Sequence, residues 1–167
     1  MSEHPLLRAD RILKTLIDAD VRFVLIGGLA SQVHGSPSLT GDVDICFALD
    51  SANLVRLADA LTSMVAIRRG LDPGINAPID HRSLRAGDDF TLSTRFGDLD
   101  LLAHPDPRLD FESLSARSIA AEIFGVEVRV ASLEDLIVMK TAAGRPKDRI
   151  ELEILGALRE EIDRRDD

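Results

Sequence analysis

Apolar and polar positions along this chain fall into short runs whose period changes from segment to segment. Residues 5–19 set Leu6, Leu7, Ile12, Leu13, Leu16 and Ile17 at helical spacing, and Pro5 suits a first turn, so the pattern predicts an amphipathic opening helix. The run 21–26 is short, apolar and β-branched, as a strand buried on both faces is, and Gly27-Gly28 breaks it. Residues 29–35 read as a short helix running into the loop signal Gly35-Ser36-Pro37. A second strand is predicted over 42–49. Asp50 or Ser51 then caps a helix to about residue 64, with Leu54, Leu57, Ala58 and Leu61 on its core face.

Between 66 and 89 the periodicity disappears, and Gly70, Pro73, Gly74, Pro78 and Gly87 punctuate what reads as one long polar loop. Strict alternation returns over 89–96, and after Gly97 the run 98–103 continues that strand or pairs with it. Residues 118–131 read as two short strands around Gly125. Ser132 opens the next helix in the capping-box manner, with Asp135 where Glu or Gln is usual, and Gly144 closes it. Pro146 starts a last helix carrying Ile150, Leu152, Ile154, Leu155, Leu158 and Ile162. Strands mixed with helices, then two closing helices, indicate an α/β or α+β class with a mixed sheet flanked by helices.

Composition narrows the function. With 167 residues, 45% of them hydrophobic and 29% charged, the chain is expected to form one globular domain. No apolar run approaches a bilayer span, and the N-terminal residues lack the pattern of a signal peptide, so a cytoplasmic protein with no membrane partner is expected. The lone Cys46 fits a reducing compartment and reads as a small core residue. A net charge of −9 argues against extended DNA binding, which rests on neutralising phosphates. The charge is segregated, however: 140–149 holds Lys140, Arg145, Lys147 and Arg149, while 160–167 is mostly acidic.

The chemistry concentrates in three places. Asp42 and Asp44, flanked by Val43 and Ile45, stand two apart on a strand and so share one face. Mg²⁺ is bound by a few carboxylates together with substrate phosphates, and a third carboxylate from a neighbouring strand would complete a two-metal clamp. Asp100, within Leu99-Asp100-Leu101-Leu102, is the candidate, and Asp98 has the same parity. Gly27-Gly28 at a strand-to-helix turn lets backbone N–H groups approach a phosphate closely. Plainer roles stand beside these. The two glycines suit any tight turn, Asp100 could be a turn residue, and Lys140 could be a solvated cation near a helix C-terminus. Arg145, Lys147 and Asp148 could be first-turn polar residues of the last helix. His34 could simply end its helix, and Asp80-His81 lacks further histidines at ligand spacing. Neither a P-loop nor a Gly-x-Ser-x-Gly elbow occurs.

Together these motifs resemble the nucleotidyltransferase superfamily related to polymerase β: an apolar residue and Gly-Gly, a spacer (here 29–41), then Asp-x-Asp between apolar residues. The stretches GGLASQVHGSP, FGDLDLL and SLEDLIVMKTAAGRPKD are similar to the AbiEii-like branch of toxin nucleotidyltransferases and their relatives. The resemblance implies a nucleotidyltransferase fold over 1–167, with a core at about 20–131 and C-terminal helices at about 132–165. It implies transfer of NMP from an NTP to a hydroxyl, with two Mg²⁺ ions. By the same resemblance Asp42, Asp44 and Asp100 are catalytic metal ligands, and Gly27, Gly28, Lys140 and Asp148 bind the nucleotide. The acceptor it implies is RNA, a tRNA end included, or a protein, with a small molecule such as an aminoglycoside less favoured; the partner it implies is a cognate antitoxin. A catalytically inactive nucleotide-binding or protein-interaction module is the alternative. Two features depart from the family pattern: relatives carry an arginine where this chain has Ser38-Leu39-Thr40, and AbiEii toxins have a larger C-terminal domain. An RNA acceptor would further imply basic contacts, for which Arg68, Arg69, Arg82 and Arg85 of the polar loop are the candidates.

Overall fold

The computed structural model describes residues 5–72, 74–75, 79–87 and 89–167. Pro73 and Pro78 of the polar stretch lie outside the described residues, as do residues 1–4. Among the described residues fourteen elements run in the order α1 (Ala9–Asp18), β1 (Phe23–Ile26), α2 (Gly27–Val33), β2 (Asp42–Phe47), α3 (Ser51–Ser63), β3 (Ile67–Arg68) and α4 (His81–Ala86), followed by β4 (Asp89–Thr94), β5 (Gly97–Leu102), α5 (Phe111–Arg117), β6 (Ile119–Ile123), β7 (Val126–Val130), α6 (Leu133–Ala143) and α7 (Pro146–Asp166). The strands form one mixed sheet in the order β3-β4-β5-β2-β1-β7-β6. The pairs β1–β7 and β2–β5 are parallel, and the other four are antiparallel. Among the described residues no helix is long and apolar enough to cross a membrane.

Burial follows the strand parities. All four residues of β1 are buried. In β2 and β5, Val43, Ile45, Leu99 and Leu101 are fully buried on one face, while Asp42, Asp44, Asp98 and Asp100 occupy the other and stay partly exposed. Ile12, Leu13 and Leu16 of α1 and Leu54, Leu57 and Leu61 of α3 join the same core. Cys46 is buried there too, which agrees with its reading as a core residue.

Three elements escape the sequence pattern because each is too short to show a period. β3 pairs antiparallel with β4 inside the stretch read as loop. In the same stretch α4 buries only Leu84, and α5 lies in a segment the pattern leaves unassigned. Both short helices carry reciprocal caps, from Asp80 with Ser83 and from Asp110 with Ser113, which satisfy N–H groups a short helix would otherwise leave bare. The run 98–103 pairs back on β4 as a hairpin instead of extending it, with Gly97 at φ 111° in the turn. At α6, Ser132 accepts from the Asp135 N–H, but the Asp135 carboxylate takes Arg117 instead of closing the box. His34 ends α2 with its Nε2 2.8 Å from the Ala131 carbonyl oxygen, a structural role.

Asn53 ties α3 to the sheet. Its Oδ1 accepts from the Arg22 N–H at 2.6 Å, and its Nδ2 donates to the Ala48 and Arg22 carbonyls at 2.8 and 3.1 Å. The side chain is fully buried, so truncation strands several polar groups together. Asn53→Ala is expected to cost about 2–3 kcal/mol, read as a lower urea midpoint at unchanged m-value.

Candidate active site

Strand pairing brings the acidic residues together. β2 and β5 run parallel in register, with Asp42 opposite Asp98 and Asp44 opposite Asp100, so four carboxylates cover one patch of sheet. Asp42, Asp44 and Asp100 each offer an oxygen, and these atoms lie within 4.8 Å of one another. Such a set of hard, closely spaced oxygen donors fits a hard divalent cation such as Mg²⁺. Asp98 turns aside: Arg69 Nη1 and Ser93 Oγ both donate to it at 3.0 Å. The second arm of Arg69 reaches Asp100.

Like charges at this spacing need a counterweight. Burial, and then the Asp42 and Asp100 charges, push Asp44 up to about 8, with Lys140 pulling the other way. Burial likewise raises Asp100, against the opposing pull of Arg69. A bound cation would relieve both.

The two glycines are explained by close approach. β1 ends at Ile26 directly opposite Asp44, and Gly27 turns the chain into α2 at φ 71°. A Cβ on Gly27 would overlap the Asp44 carboxylate, and one on Gly28 would come within 2.8 Å of the Thr40 Cβ. Thr40 in turn donates from Oγ1 to the Asp42 backbone carbonyl at 3.1 Å and to its carboxylate at 3.3 Å. The sequence gives no sign of this contact, because it depends on the path of the loop before β2.

The corner between α6 and α7 supplies the cations. Gly144 closes α6 in the left-handed conformation and Pro146 opens α7. The Asp148 side chain is fully buried at this corner. It accepts from the Arg145 N–H at 3.0 Å, from Arg145 Nε at 2.8 Å and from Lys140 Nζ at 3.4 Å. Burial would raise Asp148, but the Arg145 hydrogen bonds and the nearby charges outweigh it and hold the carboxyl below its ordinary value. Lys140, Arg145 and Lys147 line a cleft of about 440 Å³ together with Gly28, Asp42, Asp44 and Asp100. With its side chain only 18% exposed, Lys140 is not a freely solvated cation.

The four loop arginines do not gather. Arg69 sits in the acidic patch, Arg68 lies over the Phe90 ring at 5.0 Å, Arg85 donates to Ser51 Oγ at 2.6 Å, and Arg82 is exposed.

The mixed sheet, the glycine turn and the carboxylate patch define the nucleotidyltransferase fold. A family model described as "Nucleotidyl transferase of unknown function (DUF2204)" matches residues 6–166, and the chain belongs to that family. It is therefore a nucleotidyltransferase that transfers NMP, as the sequence motifs imply. No curated protein matches its sequence. Similar solved structures include the lincosamide antibiotic adenylyltransferase LnuA with lincomycin bound, at TM-score 0.61 and 13% identity, covering 93% of this chain and 99% of that one. A nucleotidyltransferase-like protein from Paracoccidioides brasiliensis matches at TM-score 0.59 and 16% identity, covering 92% and 77%. ANT(2")-Ia in complex with adenylyl-2"-tobramycin matches at TM-score 0.54 and 18% identity, covering 95% and 97%. At these identities the likeness is one of fold. None of the three is described as an AbiEii-like toxin.

Two expectations follow for the site. Gly27→Ala should lower stability by at least about 1–2 kcal/mol, since an L side chain gains both a left-handed backbone and a clash with Asp44, and calorimetry would show the drop. Asp148 titrates lower folded than its ordinary 3.8, so its stabilisation is fully present above that value and is lost as pH falls through the folded value. Asp148→Asn should therefore be less stable than wild type by about 1–3 kcal/mol near neutrality. Denaturation curves taken across acid pH should show the gap closing.

Proposed function

We propose that the chain is a Mg²⁺-dependent nucleotidyltransferase that moves NMP from an NTP to an acceptor hydroxyl. The observation that carries this reading is the meeting of the Asp42–Asp44–Asp100 cluster with the Lys140–Arg145–Lys147 side of one cleft. Asp42, Asp44 and Asp100 would hold two divalent ions, which when bound supply charge neutralisation at the reacting phosphate and at the pyrophosphate leaving group. Lys140, Arg145 and Lys147 bind the triphosphate beside Gly28, while Gly27 leaves room for the Asp44 carboxylate next to the nucleotide. In this reading Asp148 acts indirectly, by fixing Lys140 and Arg145. The acceptor oxygen bonds to the α-phosphorus as the bond to the β-phosphate breaks, and Asp100 takes the hydroxyl proton while Arg69 orients its carboxylate.

The acceptor in this proposal is an RNA 3′ hydroxyl, a tRNA end included, or a protein hydroxyl, with a cognate antitoxin as partner in an AbiEii-like setting. A compact hydroxylated small molecule is the second reading. One observation favours it: Arg68, Arg69 and Arg85, three of the four arginines of the polar stretch, are engaged within the chain itself. Retention of all three clustered carboxylates speaks against an inactive module.

Incubation with each α-phosphate-labelled NTP, Mg²⁺ and separate pools of RNA, protein and small polyols tests the reading. Label should pass to one pool with wild type and fail to pass with Asp42→Ala or Asp44→Ala, while Asp100→Asn should slow transfer about 10²–10⁴-fold. Transfer that persists in both alanine variants would sink the proposal.

A further inference from the structure

A second cavity, of about 160 Å³, adjoins the polar cleft and shares Asp44, Lys140 and Arg145 with it. Its other side-chain walls are apolar: Ile26, Leu102 and Pro105 on one side, and Leu136, Met139 and Ala143 of α6 on the other. The sequence pattern builds it. On α6, positions 136, 139, 140 and 143 follow helical spacing, so three apolar side chains and Lys140 form one stripe. On β5, Leu102 stands two residues beyond Asp100 and points to the same face as the acidic patch. Leu102, Pro105 and Met139 stay partly exposed, so the hydrophobic core does not use all of this surface.

An NTP joins two unlike parts, a polyanion and a heterocycle with flat, weakly polar faces. The two cavities divide in the same way and meet at Asp44, Lys140 and Arg145, where the α-phosphate would lie. The acceptor does not compete for the apolar side, because Asp100, which takes its proton, lines the polar cleft and not this pocket. Resting on the nucleotidyltransferase reading above, we propose that the Leu102–Pro105–Met139–Ala143 pocket is the subsite for the nucleobase of the NTP.

A selectivity follows. The polar side chains of the pocket are already committed: Asp44 to the carboxylate cluster, Lys140 and Arg145 to Asp148 and, in the reading above, to the triphosphate. The base is thus held by its faces and not read along its edges. Apolar pockets discriminate weakly, so affinities for the four NTPs should spread over about a hundredfold or less, against ten-thousandfold in sites built on hydrogen bonds.

Calorimetric titration of the full chain with ATP, GTP, CTP, UTP and inorganic tripolyphosphate, each with Ca²⁺, tests this. Met139→Ala, which removes wall contact, should weaken binding of every NTP about fivefold or more, and Ala143→Phe, which fills the pocket, about tenfold or more. Tripolyphosphate should bind each variant within about twofold of wild type, which also shows that the variant is folded. Equal weakening of NTP and tripolyphosphate, unchanged NTP affinity in both variants, or an NTP spread far beyond a hundredfold would overturn the subsite. Wild-type protein that binds neither ligand would overturn the nucleotidyltransferase reading itself.

Discussion

The parallel, in-register pairing of β2 with β5 concentrates negative charge on one face of the sheet while the opposite face is sealed into the core. Val43, Ile45, Leu99 and Leu101 fix the register, because a slip of one residue by either strand would drive its two aspartates into the hydrophobic interior. The same hydrophobic burial that stabilises the sheet therefore forces carboxylates against one another. Asp44 bears most of this, with burial and two acidic neighbours pushing it up to about 8.

The surrounding residues offset that repulsion in different ways. Arg69 straddles Asp98 and Asp100 and is itself held by its backbone N–H to the Thr91 carbonyl at 2.9 Å. Thr40 donates to Asp42, and Gly27 gives up a side chain so that the Asp44 carboxylate has space. Lys140 and Arg145 face the cluster from α6 and from the corner before α7, held in place by Asp148. Asp44 stays raised despite these partners, so the patch leaves room for an added cation, as the proposed metal-assisted chemistry requires.

Much of this arrangement is legible in the chain itself, for identifiable reasons. Parity alone puts Asp42 and Asp44 on one face, and the glycine pair marks the end of β1. Parity does not separate Asp100 from Asp98; the pairing that sets Asp100 beside Asp44 and the Ser93 bond to Asp98 do, and Arg69, which reaches both, comes from a stretch without period, just after a two-residue strand. The short helices α4 and α5 do carry sequence signals, in the Asp-x-x-Ser spacing of their caps, but Ser replaces the usual Glu, and Leu84 alone in α4 or Phe111 with Leu114 in α5 makes no stripe. Spacing leaves Lys140 and Asp148 open to a plain surface role, and it is the tight corner at Gly144 and Pro146 that turns both inward. The apolar pocket is the least visible feature, since Leu102 and Met139 read as ordinary core positions until the two elements are placed side by side.

The proposed chemistry requires that Asp42, Asp44 and Asp100 form a divalent-metal site that the nucleotide completes. Electron paramagnetic resonance of Mn²⁺ titrated into the chain with a non-hydrolysable NTP analogue measures this directly. Two bound ions per chain in wild type, reduced in Asp44→Asn and retained in Asp98→Asn, is the predicted result. Binding of no ion by the wild-type chain, or equal binding in Asp44→Asn, would contradict it.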